Sequence, residues 1–292
     1  MDKRMLYGRE IIYTDFDEIT DQNVLQILEH AMLIHTRNRA DIQYLYDYYQ
    51  GKQPVLDRTK EYRKEICNRI VENRANEIVS FKVGYLMGEP VQYVSRASDD
   101  NVSTNAINLL NDYVFAEDKA AKDKELADWF TICGTAFRMI LPDSKGEEDE
   151  SPFEIYTLDP RNAFVVYYSG LGNKPMMGVK YVAHEDGSVV FSIYTDKHYY
   201  EVVQPGTLNQ SNYSQKSIAK TEDHILGDIP IIEYPANSAR LGASCARDII
   251  RSKLARPGLV LNREVSLYSR RIGECFGALA VLLELTVNKV VY

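Results

Sequence analysis

Apolar residues recur at steps of three and four through the first half of the chain and at every second position through much of the second half. That order predicts helices followed by strands. Val24, Leu25, Leu28, Met32 and Ile34 predict a first helix, capped by Thr20 or Asp21, after short strand character at Ile11–Tyr13. Ile42, Leu45, Tyr46 and Tyr49 predict a second over Arg39–Gln50, ended by Gly51, and Lys52–Leu56 reads as a loop or a short extended piece. A long helix near 60–87 follows, with Ile66, Ile70, Val71, Ala75, Ile78, Val79, Val83 and Leu86 on one stripe and Asn68, Asn73, Asn76 and Glu77 mainly opposite. Gly88 stands where a left-handed cap residue belongs, Pro90 cannot continue a helix, and Val91–Val94 alternates like a short strand. Ser103 is a fitting cap for a helix over Asn105–Phe115, and Asp118–Thr131 forms another, with Leu126, Trp129 and Phe130 inward.

Cys133–Ala136 leads into a strand at Phe137–Leu141, and from Pro152 the period becomes two. Phe153–Tyr156, Ala163–Tyr168, Gly178–Ala183, Val189–Tyr194 and Tyr199–Val203 read as strands of an antiparallel sheet, with Asp186-Gly187 as a two-residue hairpin turn. Asn209–Lys220 reads as a polar loop, and Ile229–Tyr234 returns to extended form. After Pro257-Gly258, residues Leu261, Val265, Tyr268, Ile272, Cys275, Leu279 and Leu282 advance by alternating fours and threes, a heptad-like stripe on a C-terminal amphipathic helix. The fold class expected is α+β. Residues 1–19 form an arm, 20–142 a helical part, 143–242 an antiparallel β part and 243–292 a divergent tail.

Composition is that of an ordinary globular chain, 45% hydrophobic and 26% charged over 292 residues. The net charge of −8 is uneven: eight Lys/Arg against four Asp/Glu in residues 245–292 give +4, so the residues before them carry −12. A body this acidic is a poor wrapper of nucleic acid, whose phosphates demand Lys and Arg. The four cysteines form no CxxC pair, which fits a reducing compartment, and the first residues lack the apolar core of a secretory signal.

Candidate chemistry is sparse. His30 and His35 are five apart and do not share a helix face as two metal ligands would, so both read as surface or half-buried histidines. No nucleophile elbow, phosphate-binding glycine loop or zinc motif is present. Asp15, Asp17 and Glu18 precede a helix and read as partners of its dipole. A metal-dependent nuclease would have to use Asp15 and Asp17, with no histidine or carboxylate cluster to support them. Asp143–Glu150 lacks calcium-loop spacing and reads as a solvated loop. The tyrosine pairs Tyr48-Tyr49, Tyr167-Tyr168 and Tyr199-Tyr200 lack interleaved basic residues and read as packing or subunit contacts. Arg69, Arg74 and Lys82 are candidate neighbours of an acidic partner surface, with Lys82 snorkelling from the apolar stripe. No catalytic, cofactor-binding or metal-ligating residue is expected.

Four ordered motifs carry a resemblance. They are Tyr48-Tyr49-Gln50-Gly51-Lys52; Asn68-Arg69-Ile70-Val71 with Val83-Gly84-Tyr85-Leu86-Met87-Gly88-Glu89-Pro90-Val91; Gly134-Thr135-Ala136-Phe137 with Tyr156-Thr157-Leu158-Asp159-Pro160; and His224–Tyr234, containing Gly227 and Pro230, with Asn237. Over about residues 20–242 the chain resembles the portal proteins of tailed bacteriophages, the head-to-tail connectors of long, flexible-tailed phages. The matching part is the family's wing region, and Tyr49, Gly51, Asn68, Arg69, Gly84, Tyr85, Gly88, Pro90, Gly134, Pro160, Gly227 and Pro230 are its structural motif residues. The resemblance implies a non-enzymatic ring subunit, typically one of twelve, at a capsid vertex. Double-stranded DNA is packaged and ejected through such a ring without sequence-specific binding. The terminase large subunit, head-completion proteins and capsid or scaffold proteins dock on it, in the virion and in the host cytoplasm during assembly. No cofactor and no membrane contact are implied. The match fades near Gly242, where the family continues into stem, clip and crown, so a truncated chain is expected, with residues 261–282 in the stem's place or folded back on the body. The alternative is a capsid-associated adaptor or a defective prophage remnant that forms no channel.

Overall fold

A computed structural model describes residues 10–59, 61, 69–94, 101–142, 151–206, 216–224 and 226–235, with the backbone alone for 101–104. Asn68, residues 143–150, Asn237 and the C-terminal helix expected over 261–282 lie outside the described residues. The fold is α+β: after one short strand at the start come the helices, and the remaining strands follow them.

The two helices expected between Val24 and Gln50 are one, α1 (Val24–Tyr49). The apolar pattern breaks at His35 and Asn38, yet both are buried on the same face as Leu28, Met32, Ile42 and Leu45. Each has partners that make burial tolerable. Asn38 donates to Glu10 O (2.8 Å) and accepts from Glu10 N (2.9 Å), tying down the chain that enters β1 (Ile12–Thr14). His35 Nε2 lies 3.1 Å from both Arg161 O and Tyr181 Oη, so His35 is a core residue rather than a surface or half-buried one. Neither Thr20 nor Asp21 caps α1: Asn23 stands at its N-cap, with its side chain accepting from Thr20 N and donating to Glu18 O. Beyond Gly51, residues Pro54–Asp57 form a 3-10 turn where a loop or extended piece was expected.

The long helix expected near 60–87 is shorter. Residues 69–73 are irregular, and α2 spans Arg74–Leu86. Asn73 starts it, its side chain accepting from Asn76 N (3.2 Å), which fixes the boundary that apolar spacing alone placed too early. Val91–Val94 forms no strand. Helix α3 covers Asn101–Ala116, starting ahead of the expected Ser103 cap, and α4 covers Lys119–Cys133, ended by Gly134 at φ 72°.

The expected single antiparallel sheet is two sheets. The strands are β2 (Thr135–Pro142), β3 (Phe153–Leu158), β4 (Ala163–Tyr168), β5 (Pro175–Ala183), β6 (Val189–Tyr194), β7 (His198–Gln204), β8 (Ser217–Asp223) and β9 (Ile231–Pro235). A six-stranded sheet runs β1-β4-β5-β6-β7-β8, with β1 parallel to β4 and the remaining pairs antiparallel. A three-stranded sheet runs β3-β2-β9. Strand β8 lies where a polar loop was expected: as an edge strand its sequence SIAKTED is nearly all solvent-facing, so no buried alternation marks it. The β5–β6 connection is a three-residue loop, Glu185–Gly187, with His184 N donating to Ser188 O and Gly187 at φ 84°.

Strand β4 is buried on both faces. Phe164 and Val166 pack with α1 residues Leu28 and Met32 in one core, while Ala163 and Val165 pack in another with Phe137, Met139 and Ile231 of the smaller sheet and with Ile229 just ahead of β9. The two sheets approach closely at Gly178, where a Cβ would lie 2.8 Å from Ile229 and 2.9 Å from Ile231.

Candidate functional site

The first two motifs meet at the junction of α1 and α2. Gly51 leaves α1 at φ 89°, a conformation that favours glycine. The turn places Tyr49 O where Asn73 Nδ2 donates to it (2.8 Å), and Gln53 Nε2 donates to Glu72 O (3.2 Å). Below this join, half-buried Tyr46 and Tyr49 pack with Ile42, Val79, Val83, Ile132 and Cys133. Burial pushes the Cys133 thiol well up, so it is a packing group and not a nucleophile.

The closing motif of α2 has two sides. Ala75, Val79 and Val83 are buried, while Phe81 and Tyr85 stand outward, 55% and 67% exposed, with rings stacked 6.3 Å apart at 14°. Gly84 between them has open space where a Cβ would sit. Gly88 is not in the left-handed region expected of it; Met87 is the C-cap. What Gly88 provides is room, since a Cβ there would lie 2.8 Å from Gly84 O. Glu89 and Pro90 follow on the surface.

The third motif builds a stacked joint. Asp159 accepts from its own neighbour Arg161 through both carboxylate oxygens (2.9 Å from Nε to each), and Gln43 Oε1 accepts from Arg161 Nη1 (3.1 Å). The guanidinium lies 4.6 Å from the Tyr46 ring centre and 5.4 Å from that of Trp129, and those two rings stack at 5.3 Å. The carboxylate beside Arg161 holds its pKa above the ordinary value. A cation over two aromatic faces thus locks α1, α4 and the β3–β4 turn together. Pro160 is buried at that turn. In the fourth motif Gly227 turns the chain at φ 64°, and Pro230 O accepts from Ile140 N (3.1 Å), extending the β2–β9 ladder. Glu233 then accepts from Thr135 Oγ1 (3.3 Å) and Tyr167 Oη (3.0 Å), bridging the two sheets.

One cluster escaped sequence reasoning. Asp123 lies between Lys119 and Arg138, bonded to both, and all three are buried. Arg138 also donates to Lys122 O (2.8 Å), and Lys119 Nζ lies 5.8 Å from the Tyr93 ring centre. Burial lowers the Lys119 pKa against the pull of Asp123, and it pushes the Tyr93 phenol up to about 12. The signal was present: Lys119 and Asp123 continue, at helical spacing, the stripe that holds Leu126, Ala127 and Phe130, and Arg138 interrupts an apolar strand. Beside it Glu117 accepts from Lys122 Nζ (2.9 Å) and from Ile155 N (3.0 Å), covering an outer backbone group of edge strand β3.

Among the described residues no group of three or more His, Cys, Asp or Glu is arranged to hold a metal, and no helix is long and apolar enough to cross a membrane. The family model described as phage portal protein, SPP1 Gp6-like, matches residues 28–254. The chain belongs to the phage portal protein family. None of the curated proteins compared with it matched.

The portal match runs past Gly242, where the motif resemblance fades, and covers all four motifs. In this portal protein Tyr49, Gly51, Gly134, Pro160, Gly227 and Pro230 sit at joins between elements, while Arg69, Gly84, Tyr85, Gly88 and Pro90 lie on the surface around α2. The acidic cluster does not serve a helix dipole: the first turn of α1 has no acidic residue, Asp15 accepts from Ser169 Oγ (2.6 Å), and Glu18 pairs with Lys197 (2.7 Å). Of the basic candidates, Arg74 is held by Glu72 and Glu77 of its own chain, Lys82 is half-buried, and Arg69 is exposed.

Proposed function

We propose that this portal-family protein is a subunit of the ring at one vertex of a phage or prophage capsid, through which double-stranded DNA enters and leaves. The family match over residues 28–254 carries this reading. Its partners are further copies of itself, typically twelve in all, together with the terminase large subunit, head-completion proteins and capsid or scaffold proteins. The role is structural, with the motor's hydrolysis supplied by the terminase. A net charge of −8 supports a conduit past which a polyanion slides without sticking, since like charge repels where basic patches would retain.

Native mass spectrometry and negative-stain imaging of the purified chain test the assembly. Rings of uniform stoichiometry are expected. A strict monomer at high concentration would sink the ring and leave the channel-free adaptor.

A further inference from the structure

Helix α2 packs on its inner side only. Ala75, Val79 and Val83 are buried, while Phe81 and Tyr85 remain 55% and 67% exposed. Their rings stack 6.3 Å apart at 14°, so they present one wall rather than two independently turning groups.

Residues four apart line up in rows along a helix. One row on the outer side is Glu77, Phe81, Tyr85 and Glu89, an aromatic ridge with a carboxylate at each end. The row beside it is Ser80, Gly84 and Gly88, all exposed and all small. At Gly84 a Cβ would meet nothing, and Gly88 lies one turn on, where a Cβ would stand 2.8 Å from Gly84 O. The second row is therefore a groove floored by backbone, running alongside the ridge. The commonest packing between helices sets ridges of this spacing into grooves of this spacing, at a crossing angle of about −50°.

The presence of both rows on one helix points to the occupant. A partner of unrelated sequence would need only one of them. A face that carries a ridge, and next to it the groove that the ridge fits, is complementary to itself, and a twofold axis through its middle satisfies both rows in both copies. Glu77 is already paired with Arg74, so its approach to a second copy adds little repulsion. Area sets the strength. Four rings at these exposures would bury roughly 400–600 Å², about a third of what a standard stable interface removes from water. The contact is thus a weak one, filled as concentration rises.

We propose that the outer face of α2 binds the same face of a second copy across a twofold axis, the Phe81–Tyr85 ridge of each lying in the Ser80–Gly84–Gly88 groove of the other. Such a contact closes on two copies and does not propagate into a ring, so the inference stands apart from ring formation.

The test uses the full-length protein. Position 84 lies at the middle of the face, where a twofold axis brings a residue to its own counterpart. Gly84→Cys is treated with a short bismaleimide and the linked peptides are identified by mass spectrometry, beside Leu171→Cys at a fully exposed loop position. The expected product is the Gly84→Cys peptide linked to itself at dimer mass, at a yield about tenfold above the self-link of Leu171→Cys. Self-links no more frequent than those of Leu171→Cys would overturn the proposal. So would links from position 84 only to a different site, the mark of a head-to-tail contact. Gly84→Leu is the second variant: it removes no contacting group, raises helix propensity and fills the groove. Thermal melts are expected to show it folded, and sedimentation equilibrium to show pairing weakened about tenfold. Undiminished pairing in Gly84→Leu would equally refute the twofold contact.

Discussion

The side-chain amide of Asn73 closes two helix ends at once: its nitrogen donates to Tyr49 O at 2.8 Å, and its oxygen accepts from Asn76 N at 3.2 Å. The last carbonyls of α1 and the first amides of α2 are both left over by their own helices. A residue with one donor and one acceptor on a short stem satisfies one of each.

Asn73→Ala therefore loses a cap and a donor together. A loss of about 1–2 kcal/mol in urea unfolding is expected. Asn73→Ser keeps a capping acceptor and loses the donor to Tyr49 O, so it should fall between Ala and the natural residue. An alanine variant as stable as the parent would show that the junction is not held this way.

Breaking the Lys119–Asp123–Arg138 cluster from one side should be more severe. Asp123→Leu leaves two buried cations facing each other and is expected to cost about 3–5 kcal/mol, or to prevent folding. Replacing all three residues with apolar ones of similar volume should recover much of that loss. Thermal melts of the single and triple variants make the comparison.

Gly84 and Gly88 should respond oppositely to alanine. The Gly84 Cβ position is open and helical, so Gly84→Ala should stabilise by about 1 kcal/mol. Gly88→Ala drives a methyl onto Gly84 O and should lower the melting temperature by several degrees. Differential scanning calorimetry of both variants reads the signs.

Lys216 supplies a pH dependence. Burial lowers its pKa to about 8 from 10.5. Between those values the unfolded chain holds a proton that the folded chain has released, so the stability contributed by this site rises with pH from about 8 upward. Above pH 10 an opposite trend sets in, because Tyr93, Tyr194 and Tyr200 are each pushed up to about 12 and the unfolded chain ionises them first. Urea midpoints taken between pH 8 and 9.5 should climb in the parent and climb less in Lys216→Met.

Legibility in the sequence followed how each segment meets its surroundings. Strands β4 and β6 were read to the residue because their apolar runs are bounded by turn-formers. Strand β8 was invisible because an edge strand exposed along most of its length has no core to write a pattern. The continuity of α1 was hidden by His35 and Asn38, polar side chains whose partners, Glu10, Arg161 and Tyr181, are distant in sequence. The division into two sheets was hidden for the same reason: β2 finds β9 about a hundred residues later, and nothing local announces it. The motif glycines were legible, but their reasons were not. Gly51 and Gly134 need positive φ, whereas Gly88 needs only the absence of a methyl.

The pairing of Ile12 with Val166 sets a timetable for synthesis. The first strand of the larger sheet must wait for β4, and the middle strand of the smaller sheet must wait for β9, which ends at Pro235. At about 5–20 residues per second, a ribosome takes on the order of ten seconds or more to deliver the segment that completes both sheets. Until then β2, an apolar strand with a buried arginine, has an open edge, and long-range pairing of this kind is slow even once the chain is whole. Newly made chains thus pass through an interval in which they can stick to one another wrongly. Yield should depend more on temperature and expression rate than the stability of the finished protein would suggest.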